Sequence, residues 1–352
     1  MASINAEGKP LETSAIFPSS SAIETSNAGS TQNPAWCDFK ACIDVIHRSS
    51  SHQKFSLPGG RSLGFATFGA ESGPTVFYLH GLGDSRLTGA WFHDACLAQS
   101  IRLVAVDRPG IGLSDQHGDR TVLNHAEDIR FLAQHLSAAT YGVMGVSGGG
   151  IYAQACAYAL PASELKSVAI VAGMGPFHLT MAYSNWTTYT VFSAFKLLPA
   201  IPRWAYSREL EQLKAQSLED YTNMSKARMS AWYLRFVGPD AKDLALMRDD
   251  EFLACVYEAI RENHNIEDHM IERAVICASD PGFTLDAIRP TLPITLWYGK
   301  RDASLSPAVG QAIRDAIGGS ARLITRDEAH LSLVIGCRRE IVATMAQQIL
   351  HD

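Results

Sequence analysis

The stretch that decides the reading of this chain is Gly145-Val146-Ser147-Gly148-Gly149. Before it, Thr140-Tyr141-Gly142-Val143-Met144 has the make-up of a short buried strand. After it, Ile151 to Leu160 is an apolar, alanine-rich run that stops at Pro161, as a helix does. A serine in a turn that passes directly from strand to helix takes unusual backbone angles, and its neighbours must lack bulk so that the two elements can approach. The glycines supply that room. A five-residue pattern recurs by chance, so the strand-turn-helix setting is what makes Ser147 a candidate nucleophile.

Such a serine needs a histidine to take its proton and a carboxylate to hold that histidine in the useful tautomer, and at a turn of this kind the acid precedes the histidine in the chain. Pro293 to Gly299 is an apolar run with β-branched and aromatic residues, followed by Lys300-Arg301-Asp302. Asp302 therefore follows the carboxyl end of a strand. A further short run, Ala321 to Arg326, leads through Asp327-Glu328-Ala329 to His330, ahead of the final helical stretch. Asp327 and Glu328 are poorer choices for the acid, since they lie too close to His330 in sequence to reach it easily. No carboxylate follows the strand ending at Ala172, where the chain continues Gly173-Met174-Gly175-Pro176. Asp302 gains from that absence.

Charge that develops on an oxygen in acyl transfer needs donors. Pro74 to Leu79 reads as a buried strand running into His80-Gly81-Leu82-Gly83, whose backbone N–H groups can face a ligand. The amide of Leu82, or of Gly81, is expected to form an oxyanion hole with that of Gly148, each donor worth roughly 3 kcal/mol of barrier. His80 reads as a residue that orients its own loop.

Taken in order, His80 to Gly83, Asp107-Arg108-Pro109-Gly110-Ile111-Gly112-Leu113-Ser114, Gly145 to Gly149, Gly299 to Asp302 and His330 resemble the motif series of α/β-hydrolase-fold proteins, over most of the chain. The resemblance implies a mostly parallel central sheet flanked by helices, with an inserted helical lid. It also gives the Asp107–Ser114 loop an architectural role, with Asp107 and Arg108 as a loop-fixing pair. The oxyanion loop departs from the His-Gly-Gly-Gly form of many lipases and is similar to the branch acting on diverse small molecules. Relatives that open epoxides or displace halide carry aspartate where this chain has Ser147, so those reactions are not expected.

Composition agrees with a globular enzyme. With 47% apolar and 19% charged residues, 352 residues can bury one large core and carry an inserted unit. A net charge of -6 with no basic block argues against nucleic acid. Residues 1–35 are rich in Ser, Ala, Thr and Asn and cannot bury enough surface to offset their ordering entropy, so disorder is expected there. They lack the basic start and apolar block of a secretory signal, which leaves a cytoplasmic location as the expectation. Seven cysteines show no paired spacing, and Cys37 with Cys42 is too weak a signal for metal or disulfide. No cofactor or metal is expected.

The core is expected over 36–176 and 287–352, with a hairpin around Pro58-Gly59-Gly60 at the antiparallel edge of the sheet. Over 177–286 strand signals give way to helical sequence, the expected lid. Its large side chains include Tyr183, Trp186, Tyr189, Phe192, Phe195, Trp204, Tyr206, Tyr221, Trp232, Tyr233, Phe236, Phe252 and Tyr257, with Met181, Met224, Met229, Met247 and Met270. Most should form the lid's own core and some an apolar chamber above Ser147, suited to a mid-sized hydrophobic small molecule. Val191 to Ile201 is too short and interrupted to span a membrane, so no stable insertion is expected. The sequence therefore points to a serine hydrolase of the esterase type, cleaving an ester, thioester or similar acyl bond. Two alternatives stay open: the same triad used for C–C cleavage, cyclisation or acyl transfer in secondary metabolism, and a receptor-like binder without turnover. Oligomeric state is not legible.

Overall fold

In the computed structural model the described residues are 37–184, 217–228, 240–262 and 280–350, with scattered positions from 186 to 204. The segment expected to be disordered, 1–35, and much of the expected lid lie outside them. All of the described residues belong to one unit, Trp36–Asp352.

Eight strands form one sheet: β1 Gln53–Ser56, β2 Ser62–Gly69, β3 Thr75–Leu79, β4 Arg102–Val106, β5 Tyr141–Val146, β6 Leu165–Val171, β7 Ile294–Gly299 and β8 Ala321–Arg326. Their order is β1-β2-β4-β3-β5-β6-β7-β8. β1 and β2 pair antiparallel, as do β2 and β4, and every later pairing is parallel. The expected hairpin is the β1–β2 pair, and Gly59 and Gly60 both take positive φ in its turn.

The central strands carry apolar residues on both faces because both faces are covered. On β3, Phe77 and Leu79 enter one core cluster and Val76 and Tyr78 the other. On β5 the same alternation sends Tyr141 and Val143 one way and Met144 and Val146 the other. Helices Val122–His135, Gly149–Ala159 and Pro307–Ile317 contribute to the first cluster, and Phe39–Ile46, His93–Ala98 and Arg338–Leu350 to the second. Cys37 and Cys42 are buried free thiols in that second cluster, their sulfurs 3.1 Å apart.

Among the described residues no strand intervenes between β6 and β7, and the region between them supplies helices Phe177–Ala182, Leu218–Arg228, Ala241–Met247 and Asp250–Arg261. The last packs on the second cluster through Phe252, whose ring meets those of Phe39 and Trp91 at 5.2 and 5.6 Å. No helix among the described residues is long and apolar enough to cross a membrane.

Asp107 and Arg108 each hold loop backbone through partners of their own. Asp107 is fully buried against Arg86: its Oδ2 accepts from Arg86 Nη1 at 2.8 Å and its Oδ1 from the Arg86 amide at 2.8 Å. Arg108 turns the other way, and Nη2 donates to the Gly81 carbonyl at 2.7 Å while Nη1 donates to that of His80. Side chains of successive residues leave an extended chain in opposite directions, which is why neighbours in sequence serve different loops. Arg86→Met would leave Asp107 charged and buried without its counter-ion. A loss of about 3–5 kcal/mol is expected, measured as a fall in unfolding free energy by chemical denaturation.

Candidate active site

The parallel strands β5, β7 and β8 end on one edge of the sheet, and the segments that follow them carry Ser147, Asp302 and His330. Ser147 holds a left-handed backbone, φ 51°, between β5 and the helix Gly149–Ala159. Its amide donates to the Val171 carbonyl at 2.9 Å, and its carbonyl accepts from the amides of Gly150 and Met174 at 3.0 and 2.9 Å. The turn leaves no space for side chains on either flank. A Cβ at Gly145 would lie 2.4 Å from the Gly149 carbonyl oxygen, and one at Gly149 would lie 2.1 Å from that of Leu79. The left-handed angle is costly for a residue with a Cβ, and it is held by this surrounding packing.

Asp302 is buried, and the chain around it uses both of its oxygens. Oδ1 accepts from the amides of Ser304 and Leu305 at 2.8 and 2.9 Å, and Oδ2 lies 2.6 Å from Nδ1 of His330. An ionised carboxylate only accepts, so Nδ1 of His330 carries the proton and Nε2 is left as the acceptor in the neutral ring. Burial opposes the charged imidazolium, but the carboxylate of Asp302, with those of Asp243 and Asp84 beyond it, outweighs that and raises the His330 pKa above 6.5. Asp327 and Glu328, the poorer acid candidates, are engaged elsewhere: Asp327 takes a two-point contact from Arg301 at 2.7 and 2.6 Å, and Glu328 accepts from Lys242 at 2.6 Å.

Ser147 and His330 both line one cavity of about 270 Å³, together with Gly81 and Leu82. Its apolar walls include Trp91, Met247, Phe252, Leu253, Val256 and Leu331. Of the large side chains expected above the serine, Tyr221, Met247 and Phe252 line this cavity, while Tyr183, Trp186, Tyr189 and Trp204 are exposed. Phe192, Phe195, Tyr206, Met229, Trp232, Tyr233, Phe236 and Met270 lie outside the described residues. A Cβ built on Gly148 would sit 3.1 Å from the Leu82 nitrogen, so the two amides named from the sequence are close neighbours. Neither donates to a protein acceptor among the described residues. His80 Nδ1 lies 3.0 Å from the Gly81 carbonyl oxygen of its own loop and 2.9 Å from Arg108 Nη2.

The match to the family described as alpha/beta hydrolase fold spans residues 74–336. The chain belongs to this family. Among curated sequences, uncharacterized proteins of Mycobacterium tuberculosis and Mycobacterium bovis are each 34% identical over 105 residues, a match covering 30% of this chain and 30% of each relative. Similar solved structures include an esterase from Exiguobacterium antarcticum, with TM-score 0.58 and 15% identity over 85% of this chain and 99% of that one. An enol-lactonase from Burkholderia xenovorans aligns with TM-score 0.53 and 20% identity over 85% of this chain and all of its own, 100%. At these identities the likeness is one of α/β-hydrolase fold.

Sequence reasoning missed Asp243. This buried carboxylate, on the helix Ala241–Met247, accepts from the amides of His330, Leu331 and Ser332 at 3.1, 3.1 and 2.8 Å. Nothing in the local pattern flags it, because the contact joins positions 87 or more residues apart. Among the described residues no group of three or more His, Cys, Asp or Glu side chains is arranged to hold a metal ion.

A raised folded-state pKa means that the charged ring of His330 stabilises the fold at low pH, and that this contribution disappears as pH rises through the folded value. An NMR titration should place the His330 midpoint above 6.5. Asp302→Asn should lower it, because the largest favourable influence on the imidazolium is then gone.

Proposed function

We propose that this protein is a serine hydrolase of the esterase type, with Ser147 as nucleophile, His330 as general base and then acid, and Asp302 holding His330. The observation that carries the reading is the 2.6 Å contact of Asp302 with His330 Nδ1, which leaves Nε2 as the acceptor on a ring sharing one cavity wall with Ser147. Ser147 Oγ attacks an acyl carbon as its proton passes to Nε2, and the carbonyl oxygen of the substrate takes up negative charge. The amides of Leu82 and Gly148, near each other and without protein acceptors among the described residues, receive that charge, with Gly81 as the alternative donor on the same loop. The imidazolium then protonates the leaving group, and water releases the acyl group by the same steps in reverse roles.

The apolar walls of the cavity favour a hydrophobic small molecule, and its volume suits an acyl group of modest size. Neighbouring structures of this fold include proteins named as an esterase and an enol-lactonase, which supports acyl–oxygen chemistry, and one named as a meta-cleavage product hydrolase. The last keeps C–C bond cleavage as the second reading.

Exposure to a fluorophosphonate probe should label Ser147, located by mass spectrometry, and Ser147→Ala should abolish the adduct. Turnover of a p-nitrophenyl ester should fall by about 10⁴-fold or more in Ser147→Ala and His330→Ala, and by about 10⁴-fold in Asp302→Asn. Labelling that survives both alanine variants would overturn the mechanism. Labelling of Ser147 without turnover on any acyl length would move the chemistry to C–C cleavage.

The acid limb of kcat/KM against pH reports the free enzyme's base. Because the His330 pKa is raised, that limb should lie above 6.5. It should move down in Asp302→Asn together with the NMR midpoint.

A further inference from the structure

Three side chains from one short stretch of the inserted region grip both loops of the proposed triad. Asp240 Oδ2 accepts from Arg301 Nη1 at 3.2 Å, next to Asp302 in the chain. Lys242 Nζ donates to the Asp327 carbonyl at 2.8 Å and to Glu328 Oε1 at 2.6 Å, just ahead of His330. Asp243 accepts from the amides of His330, Leu331 and Ser332, with Oδ2 taking the first two and Oδ1 the third. The first two contacts are partly exposed and worth little individually. Asp243 differs, since it is 3% exposed and meets three donors at once.

We propose that Asp243 is a positioning residue for His330, so that the helix Ala241–Met247 of the insertion sets the geometry of the base as well as covering the site. This rests on the hydrolase reading of the same site. The His330 amide is bonded directly to Asp243, so the backbone of the base has a fixed anchor supplied from outside its own loop. The first turn of the helix His330–Gly336 presents unpaired N–H groups that its own residues cannot satisfy, and Asp243 supplies a charged acceptor to that turn. Without it the His330 segment would have to turn toward water or shift to find other acceptors. The same helix sends Met247 into the cavity wall, so contact with a bound molecule and the grip on His330 belong to one element.

The charged groups that influence the ring are Asp302, Asp243 and, from the oxyanion loop, Asp84. All three favour the imidazolium, so removing Asp243 has a defined electrostatic sign: the ring should lose its proton at lower pH. A residue that only held the fold together would not move the midpoint in that direction.

The test compares Asp243→Asn and Asp243→Ala with Lys242→Ala in the full chain. Asp243→Ala is expected to lower kcat on a p-nitrophenyl ester by up to about 10²-fold, the scale of an ångström-level misplacement, with KM changed by less than about threefold. Asp243→Asn keeps one acceptor oxygen and should retain more of kcat, while the acid limb of its pH profile and the NMR midpoint of His330 move down. Lys242→Ala should leave the His330 midpoint in place and lower kcat by far less than Asp243→Ala does, as expected for a partly exposed pair. The proposal is overturned if the His330 midpoint is unmoved in Asp243→Asn, or if kcat falls in Asp243→Ala only as far as its folded fraction does. Should the alanine variant not fold, the asparagine variant decides. If the parent protein itself takes no label at Ser147 the hydrolase reading fails separately, and the NMR midpoint still tests the link from Asp243 to His330.

Discussion

The constraint on which the structure depends is the near-contact between the end of β5 and the first turn of the helix Gly149–Ala159. There the chain reverses within a few residues, and backbone oxygens of Leu79 and Gly149 stand where side-chain carbons would otherwise be. Closeness at this point forces Ser147 into left-handed φ and leaves its side chain at the sheet edge, partly open to the cavity. The parallel register of β5 with β3 and β6 then decides what surrounds it. Leu79 pairs with Gly145 and Val146 with Val171, so the loop after β3 and the end of β6 stand beside the serine.

Much of this was legible in the sequence because it is written in short-range signals. Strand runs end at recognisable points, and Ser147, Asp302 and His330 lie just beyond them. The setting aside of Asp327 and Glu328 on grounds of reach agrees with their partners, Arg301 and Lys242. The alternation of the hairpin strands and the loss of strand signal after β6 were likewise local properties.

What could not be read depends on contacts across long stretches of chain. The partners of Asp107 and Arg108 are of this kind: Arg86 closes the ion pair with Asp107, and Arg108 reaches the loop after β3. Asp243 lies in a segment read for its aromatic residues, and its single carboxylate carries no periodic signature. A helix turn short of acceptors is a demand visible in sequence, but which distant residue meets it depends on packing. The directions of the large side chains between β6 and β7 were hidden for the same reason: Tyr221 and Phe252 turn inward and Trp186 outward with no difference in pattern.

Arg108 gives the loop after β3 a property that its flexible sequence conceals. By collecting the carbonyls of His80 and Gly81 from behind, the guanidinium fixes the orientation of the peptide units there. The dipole of the Gly81–Leu82 peptide is thereby aligned during folding, with its N–H end opposite the captured oxygen. Under the proposed mechanism an anion at that spot would find the field already in place, so Arg108 would set how little the loop has to reorganise.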